Sequence, residues 1–438
     1  MTFQDLIVTP VWLVLLILLA YLIRPLVTSP ETKTYLVPGL FAKFLGAIAL
    51  GFIYQFYYDG GDTFSYHTNG SIWIWKAFMD SPLTGIDLLF QTAGDYNGQT
   101  FNYSSHIWFF RDPKSMMVVK IASVFDLFTY GTYSATALFF AIFSFSGSWA
   151  LFTVLQKLYP SKTRLLAIAI LFIPSVVFWG SGILKDSITL GALCWMSYAL
   201  FRLTIFKKFT LANLLLLGSM AWIIYTIKIY ILLCFMASTA LFLYLQYIGE
   251  IKNRLLKLLA IPALLLIFSG GGYYAINKIA EEDSRYALDK IAETAMITAY
   301  DIRYGWGARH GDNSGYTLGE LDGTFASLLR LAPEGVVVTL FRPWPWEIKN
   351  PLMLMASLES ALFLIITIGV VIQFFRKNRY TNNNQPLIWF CLSFTLLFAF
   401  AVGVSTFNFG TLMRYKIPVF PFFASLLVII NSKYGTKS

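Results

Sequence analysis

Apolar runs of about twenty residues recur along this chain, and little constrains a fold more tightly. They begin near Pro10, Leu40, Ser134, Leu165, Ser187, Leu211, Ile229, Leu258, Leu352, Pro386 and Ile417. Inside hydrocarbon no water satisfies the backbone, so each run must close its own hydrogen bonds as a helix. The pattern predicts an all-α polytopic membrane protein of about 11 transmembrane helices, a single integral membrane domain over residues 1–438. Composition excludes a water-soluble alternative. Hydrophobic residues make up 57% and charged residues 13%, about half the charged share of a soluble domain.

The connections between runs alternate in character. One set is short and basic: Arg24/Lys33/Lys43, Lys157/Lys162/Arg164, Arg202/Lys207/Lys208, Lys252/Arg254/Lys257, Arg376/Lys377/Arg379 and Lys433/Lys437. It holds about 17 of the 33 Lys and Arg but only two acids, Glu31 and Glu250. Basic connections stay in the cytoplasm, which predicts an outside N-terminus and an inside C-terminus. The net charge of +10 thus reports topology rather than nucleic-acid binding. The first run lacks a basic leader and a small-residue cleavage site, so it reads as a retained helix. Cys194, Cys234 and Cys391 fall inside expected spans, without the spacing of a zinc site or a location suited to disulfides.

Two outer segments, about 59–119 and 277–350, are too long to be simple connections. The first carries amphipathic stretches such as Ser71–Phe78. The second carries a charged amphipathic stretch from Ala280 to Tyr300, expected as an interfacial helix, then a Gly-rich region from Gly305 to Gly323. No Walker loop, HExxH, GxSxG or GxGxxG in its structural context occurs.

The charges placed at membrane level carry the functional signal. Asp59, Asp62 and His67 follow the second run, and Lys185 and Asp186 sit at the outer end of the fourth. Lys228 closes the sixth. Arg342 leads Phe341-Arg-Pro-Trp-Pro-Trp-Glu347, which includes Trp344 and Trp346, and Arg414 and Lys416 precede the last run. Each has a plain structural reading as turn former, helix-end anchor, snorkelling side chain or aromatic belt. All nevertheless map to the outer face, and charge near hydrocarbon normally faces a cavity or a partner. Arg and Lys suit a phosphate or pyrophosphate, a carboxylate suits a general base, and the abundant aromatics, 18% of the chain, offer flat faces to sugar rings. Asp59 and Asp62 could also share a divalent cation, with a pyrophosphate completing its shell; no other cofactor is expected.

An acidic motif after an early span and a late Arg-Tyr-x-x-Pro-x-x-Pro run resemble the GT-C class of multispanning glycosyltransferases and the EpsG- and Wzy-type polysaccharide polymerases. The N-terminus outside, one helix before the acidic loop, departs from the common pattern of that class. The resemblance implies a transferase at the outer face of the cytoplasmic (inner) membrane, acting on a polyprenyl-phosphate-linked sugar and a glycan acceptor among membrane lipids. In that pattern the base falls on Asp62 or Asp59, and the carrier phosphate on Lys185, Arg342, Arg414 or Lys416. The rival reading is a transporter or flippase for a lipid-linked precursor, which should show repeated halves and polar groups near the midplane. A non-catalytic assembly subunit would leave the outer basic residues unexplained.

Overall fold

The apolar runs fold as helices. The computed structural model describes residues 2–250, 290–305, 314–376 and 386–430, and among these every regular element is helical, apart from one antiparallel bridge between Gly315 and Asn408. Among the described residues, six helices are long and apolar enough to cross a membrane, or seven if one bent pair is a single span. The protein is therefore a multi-pass membrane protein. Its chain divides into two compact units, Met1–Ile229 and Tyr230–Tyr434.

The first unit is built on α1 (Phe3–Val27), α2 (Leu36–Phe56), α8 (Tyr133–Leu158) and α11 (Lys185–Thr204). Between α2 and α8 lie α3 (Asp62–Tyr66), a π-turn (His67–Ser71), α4 (Ile72–Asp80), α5 (Pro82–Phe90), α6 (Phe101–Ser104) and α7 (Pro113–Thr129). The segment at 59–119, expected to lie outside, is thus helical along much of its length.

Side-chain contacts fix the helix directions. Tyr35 packs on Phe152, Lys43 bonds Ser144 and Thr63 bonds Tyr133, so α2 runs antiparallel to α8. Asp5 accepts from the Ser134 N–H at 2.8 Å and Trp149 donates to the Val27 carbonyl at 3.1 Å, so α1 runs parallel to α8. Helix α11 is parallel too, with Trp195 bonded to Ser146. A Cβ at Gly147 would meet the Gly191 carbonyl at 2.2 Å, so only glycine permits this crossing. Helix α8 is central, with 72% of its apolar window buried, whereas α1 has 11% and turns its leucines to the lipid.

This layout gathers the connections around Arg24–Lys33, Lys157–Arg164 and Arg202–Lys208 at one end of the unit. The acid-bearing segment after α2 and the start of α11 lie at the other. The return from α8 to α11 is not the continuous helix expected near Leu165. It breaks into α9 (Thr163–Leu171) and α10 (Pro174–Trp179), because proline lacks an N–H and forces the residue before it, Ile173, into an extended conformation (ψ 122°).

Lys43 is a second correction. Instead of sitting in a basic connection, it is fully buried on α2. Its ammonium donates to the carbonyls of Val176 (2.9 Å) and Gly180 (2.8 Å) and to Ser144 (3.1 Å). The break after Trp179 leaves the Gly180 carbonyl without a helical partner, and where water is absent the lysine satisfies it; the Val176 carbonyl also accepts from the Gly180 N–H at 3.2 Å.

The runs expected at Leu211 and Ile229 form one element, α12 (Leu211–Tyr247), whose backbone leaves helical geometry at Lys228 (φ −145°, ψ 76°). The run expected near Leu258 and the connections at 252–257, 377–379 and 433–437 lie outside the described residues, as does the part of the Ala280–Tyr300 stretch before Lys290.

In the second unit, α13 (Ile291–Tyr304), α14 (Phe325–Arg330), α15 (Ala332–Phe341), α16 (Pro351–Arg376) and α17 (Pro386–Thr406) precede a bent pair. The pair is α18 (Phe409–Tyr415) and α19 (Phe420–Ile429), at 62° to each other. A cluster of Phe235, Phe242, Phe390, Phe394 and Phe422 forms its core, with ring centroids 4.8 to 6.4 Å apart. Thr339 donates to the Ala399 carbonyl at 2.7 Å and ties α15 to α17.

Candidate functional site

At the end of α2 the backbone takes three left-handed steps, Asp59 (φ 52°), Gly60 (121°) and Gly61 (124°). Glycine is obligatory at 61, where a Cβ would lie 2.8 Å from the Tyr54 ring. Aspartate tolerates the left-handed region better than most residues, so the turn itself accounts for the residue type at exposed Asp59. Asp62 differs: it opens α3 and is half-buried.

His67 begins the π-turn, a local widening that recurs at functional sites. It is buried, edge-on to Tyr133, with Nε2 3.4 Å from Asp126 Oδ1. Asp126 is fully buried on α7 and accepts from the Thr136 hydroxyl at 2.6 Å. Neither ring nitrogen of His67 nor Asp126 Oδ2 has a hydrogen-bond partner in the protein. Such a pair keeps donor and acceptor capacity in reserve. Nearby in sequence, Trp73 stacks on His106 (4.2 Å, 15°), with the Lys76 ammonium 4.0 Å from the Trp73 ring.

Lys185 lies at the first turn of α11, 3.5 Å from Asp112, which caps α7 by accepting from the Lys114 N–H. Burial raises the Asp112 carboxyl, but the Ser115 hydroxyl, the Lys185 ammonium and the Lys114 N–H together hold it below the usual carboxylate range. The next residue, Asp186, is buried and hydrogen-bonded to the Lys228 ammonium. The break in α12 therefore presents a lysine to the start of α11, and two ion pairs share adjacent residues of one helix terminus.

The second unit treats its cations differently. Arg342 forms a two-point pair with Glu347, whose carboxylate also accepts from the Trp344 N–H at 2.8 Å. The guanidinium lies over Tyr316 (5.6 Å) and Phe409 (5.3 Å). Buried Lys416 donates to the Arg342 carbonyl (2.9 Å) and to Ser360 (3.2 Å), which braces the loop on α16. Arg414 lies beside the Tyr415 ring at 5.4 Å. Trp344 and Trp346 stack at 5.8 Å, with Trp346 79% exposed.

A cavity of about 590 Å³ opens in the same unit between α13 and the segment from Gly315 to Asp322, lined by Tyr300, Arg303, Tyr304, Glu320, Asp322 and Lys349 among others. The Asp322 carboxyl is lowered to about 2, because the Thr324 hydroxyl and N–H both donate to it. The amphipathic stretch expected from Ala280 to Tyr300, in its described part, thus walls a polar, tyrosine-bearing space.

Sequence reasoning passed over Asp112, Asp126 and Glu347. Glu347 stood inside a quoted motif, five residues from its partner. Asp126 lies 59 residues from His67 and Asp112 lies 73 from Lys185, separations at which no periodicity signals a pair. Among the described residues, no group of three or more His, Cys, Asp or Glu side chains is arranged to hold a metal ion. The chain matches no family model, no curated protein and no solved structure.

Proposed function

We propose that this protein is a membrane glycosyltransferase or polysaccharide polymerase using a polyprenyl-phosphate-linked sugar at the outer face of the cytoplasmic membrane. In this reading the N-terminus is outside, the C-terminus inside, and the chain makes about 11 crossings. One observation carries it: a single end of the first unit holds half-buried Asp62, the His67–Asp126 pair and the Lys185 ammonium held by Asp112.

Each group has a chemical task. Lys185, at a helix N-terminus, suits the carrier phosphate and stabilises charge as that phosphate leaves. Asp62 takes the proton of the acceptor hydroxyl as its oxygen attacks the anomeric carbon. His67, backed by Asp126, relays that proton onward. Asp59 is the weaker candidate for base, since its turn explains it. The phosphate role fits Arg342 and Lys416 less well than Lys185, because Glu347 (3.0 Å) and the Arg342 carbonyl (2.9 Å) hold them more closely than Asp112 holds Lys185 at 3.5 Å.

The flippase reading draws on Lys43, an ionisable group deep in a span. Its donors, however, go to protein acceptors of the broken return, which gives it a structural task. The two readings part in a strain lacking the protein. A transferase leaves lipid-linked precursor in the outer leaflet, open to impermeant glycosidase or periodate. Accumulation confined to the inner leaflet would overturn the transferase reading.

A further inference from the structure

The end of the first unit opposite the acidic groups holds a cavity that the proposed chemistry does not use. It has a volume of about 570 Å³ and lies between α1, α2, α8 and α11. Its long wall is apolar, with Leu19, Ile23, Leu26 and Phe145 among its residues, and it runs toward Lys157 and Arg202. A small adjoining space of about 30 Å³ shares those two residues and continues to Lys208. Neither lining contains an Asp or Glu.

We propose that this cavity binds an anionic phospholipid of the leaflet facing the basic connections, with an acyl chain along α1 and the phosphate at Arg202 and Lys157. Three observations converge on that occupant. Leu18, Leu22 and Leu26 are exposed on α1, so the apolar wall continues directly into lipid. The polar end gathers three cations, one from α8 and two from the end of α11 and the turn after it. Arg202 is also only half satisfied: one terminal nitrogen donates to the Tyr198 hydroxyl at 2.8 Å, while its buried Nε has no partner in the protein. A guanidinium with an unused donor beside two lysines matches a phosphodiester, which accepts at two oxygens. Basic connections mark the cytoplasmic side, where anionic lipid is concentrated and each nearby Lys or Arg contributes about 1 kcal/mol.

The full-length protein, purified in detergent, is exchanged into nanodiscs of phosphatidylcholine with or without phosphatidylglycerol. Co-purified lipid is then counted by native mass spectrometry. One phosphatidylglycerol should be retained and should raise the unfolding temperature, whereas phosphatidylcholine and free glycerol phosphate should do neither. Lys157→Gln with Lys208→Gln changes only exposed side chains and should weaken retention by about thirty-fold, the equivalent of two such charges. Arg202→Gln should weaken it as well. Equal retention of phosphatidylcholine, or full retention by the Lys157→Gln/Lys208→Gln protein, would overturn the proposal. A shift produced by glycerol phosphate alone would do so too, by making the occupant a soluble anion. None of these outcomes depends on sugar transfer.

Discussion

The two units hold their charges in opposite ways. In the first, contacts join elements far apart in sequence: the ion pairs Asp112–Lys185 and Asp186–Lys228, and the approach of His67 to Asp126. In the second, Arg342 closes on Glu347 within one short loop, and Lys416 is spent on the carbonyl of that same arginine. A local pair fixes a loop. Distant pairs fix the relative placement of helices and bring unlike groups to one place, which acid–base chemistry requires. Breaking a distant pair should therefore cost more stability than breaking a local one.

The sharpest way to break this comparison is Lys228→Met, which removes the ammonium from buried Asp186. Unfolding in detergent should show a loss of about 3–5 kcal/mol. The double change Asp186→Asn with Lys228→Met should recover a large part of it; no coupling between the two would deny the pair its role. Lys43→Met comes next. It takes the lysine donor from the Gly180 and Val176 carbonyls, of which Val176 keeps the Gly180 N–H, and should cost about 1–3 kcal/mol while sparing any activity, which also tests whether this lysine is only structural. Arg342→Lys replaces a two-point contact with a single one and should cost about 1 kcal/mol. A larger loss there than at Lys228 would reverse the contrast between the units.

Legibility followed the range of the interaction. Helices α1, α2, α8, α16 and α17 were written in local hydropathy and formed where expected. Lys43 was misplaced because a basic residue near the start of an apolar run reads as a loop flank. Only the distant break at Pro174 explains why it is buried. That break was visible in principle, since the residue before proline leaves the helical region. Candidate groups such as Asp62, Lys185 and Arg342 were legible by type and position. Their partners were not, because pairing across α7, α11 and α12 is a property of packing and leaves no periodic trace.

The smallest effect belongs to Asp112, whose side chain is 43% exposed. Its folded-state carboxyl lies below the ordinary value near 4, so its contribution is present above that pH and lost as pH falls through the lower folded value. The unfolding temperature of wild type should exceed that of Asp112→Asn at neutral pH by an amount worth under about 1 kcal/mol. The gap should close in acid. A constant gap would mean that the Lys185 contact does not act through charge.

The central claim is transfer from a lipid-linked donor with Asp62 as base. The direct measurement uses proteoliposomes carrying the purified protein and a radiolabelled polyprenyl-pyrophosphate-linked glycan from the host, with product length followed over time. Wild type should extend the glycan. Asp62→Asn, inserted and folded as judged by circular dichroism, should lose about a hundred-fold or more in rate, while Asp59→Asn should lose far less. Undiminished extension by the protein carrying both Asp59→Asn and Asp62→Asn would contradict the assignment of the base. Absence of any extension by wild type, with the labelled donor moved across the bilayer instead, would contradict the transferase itself.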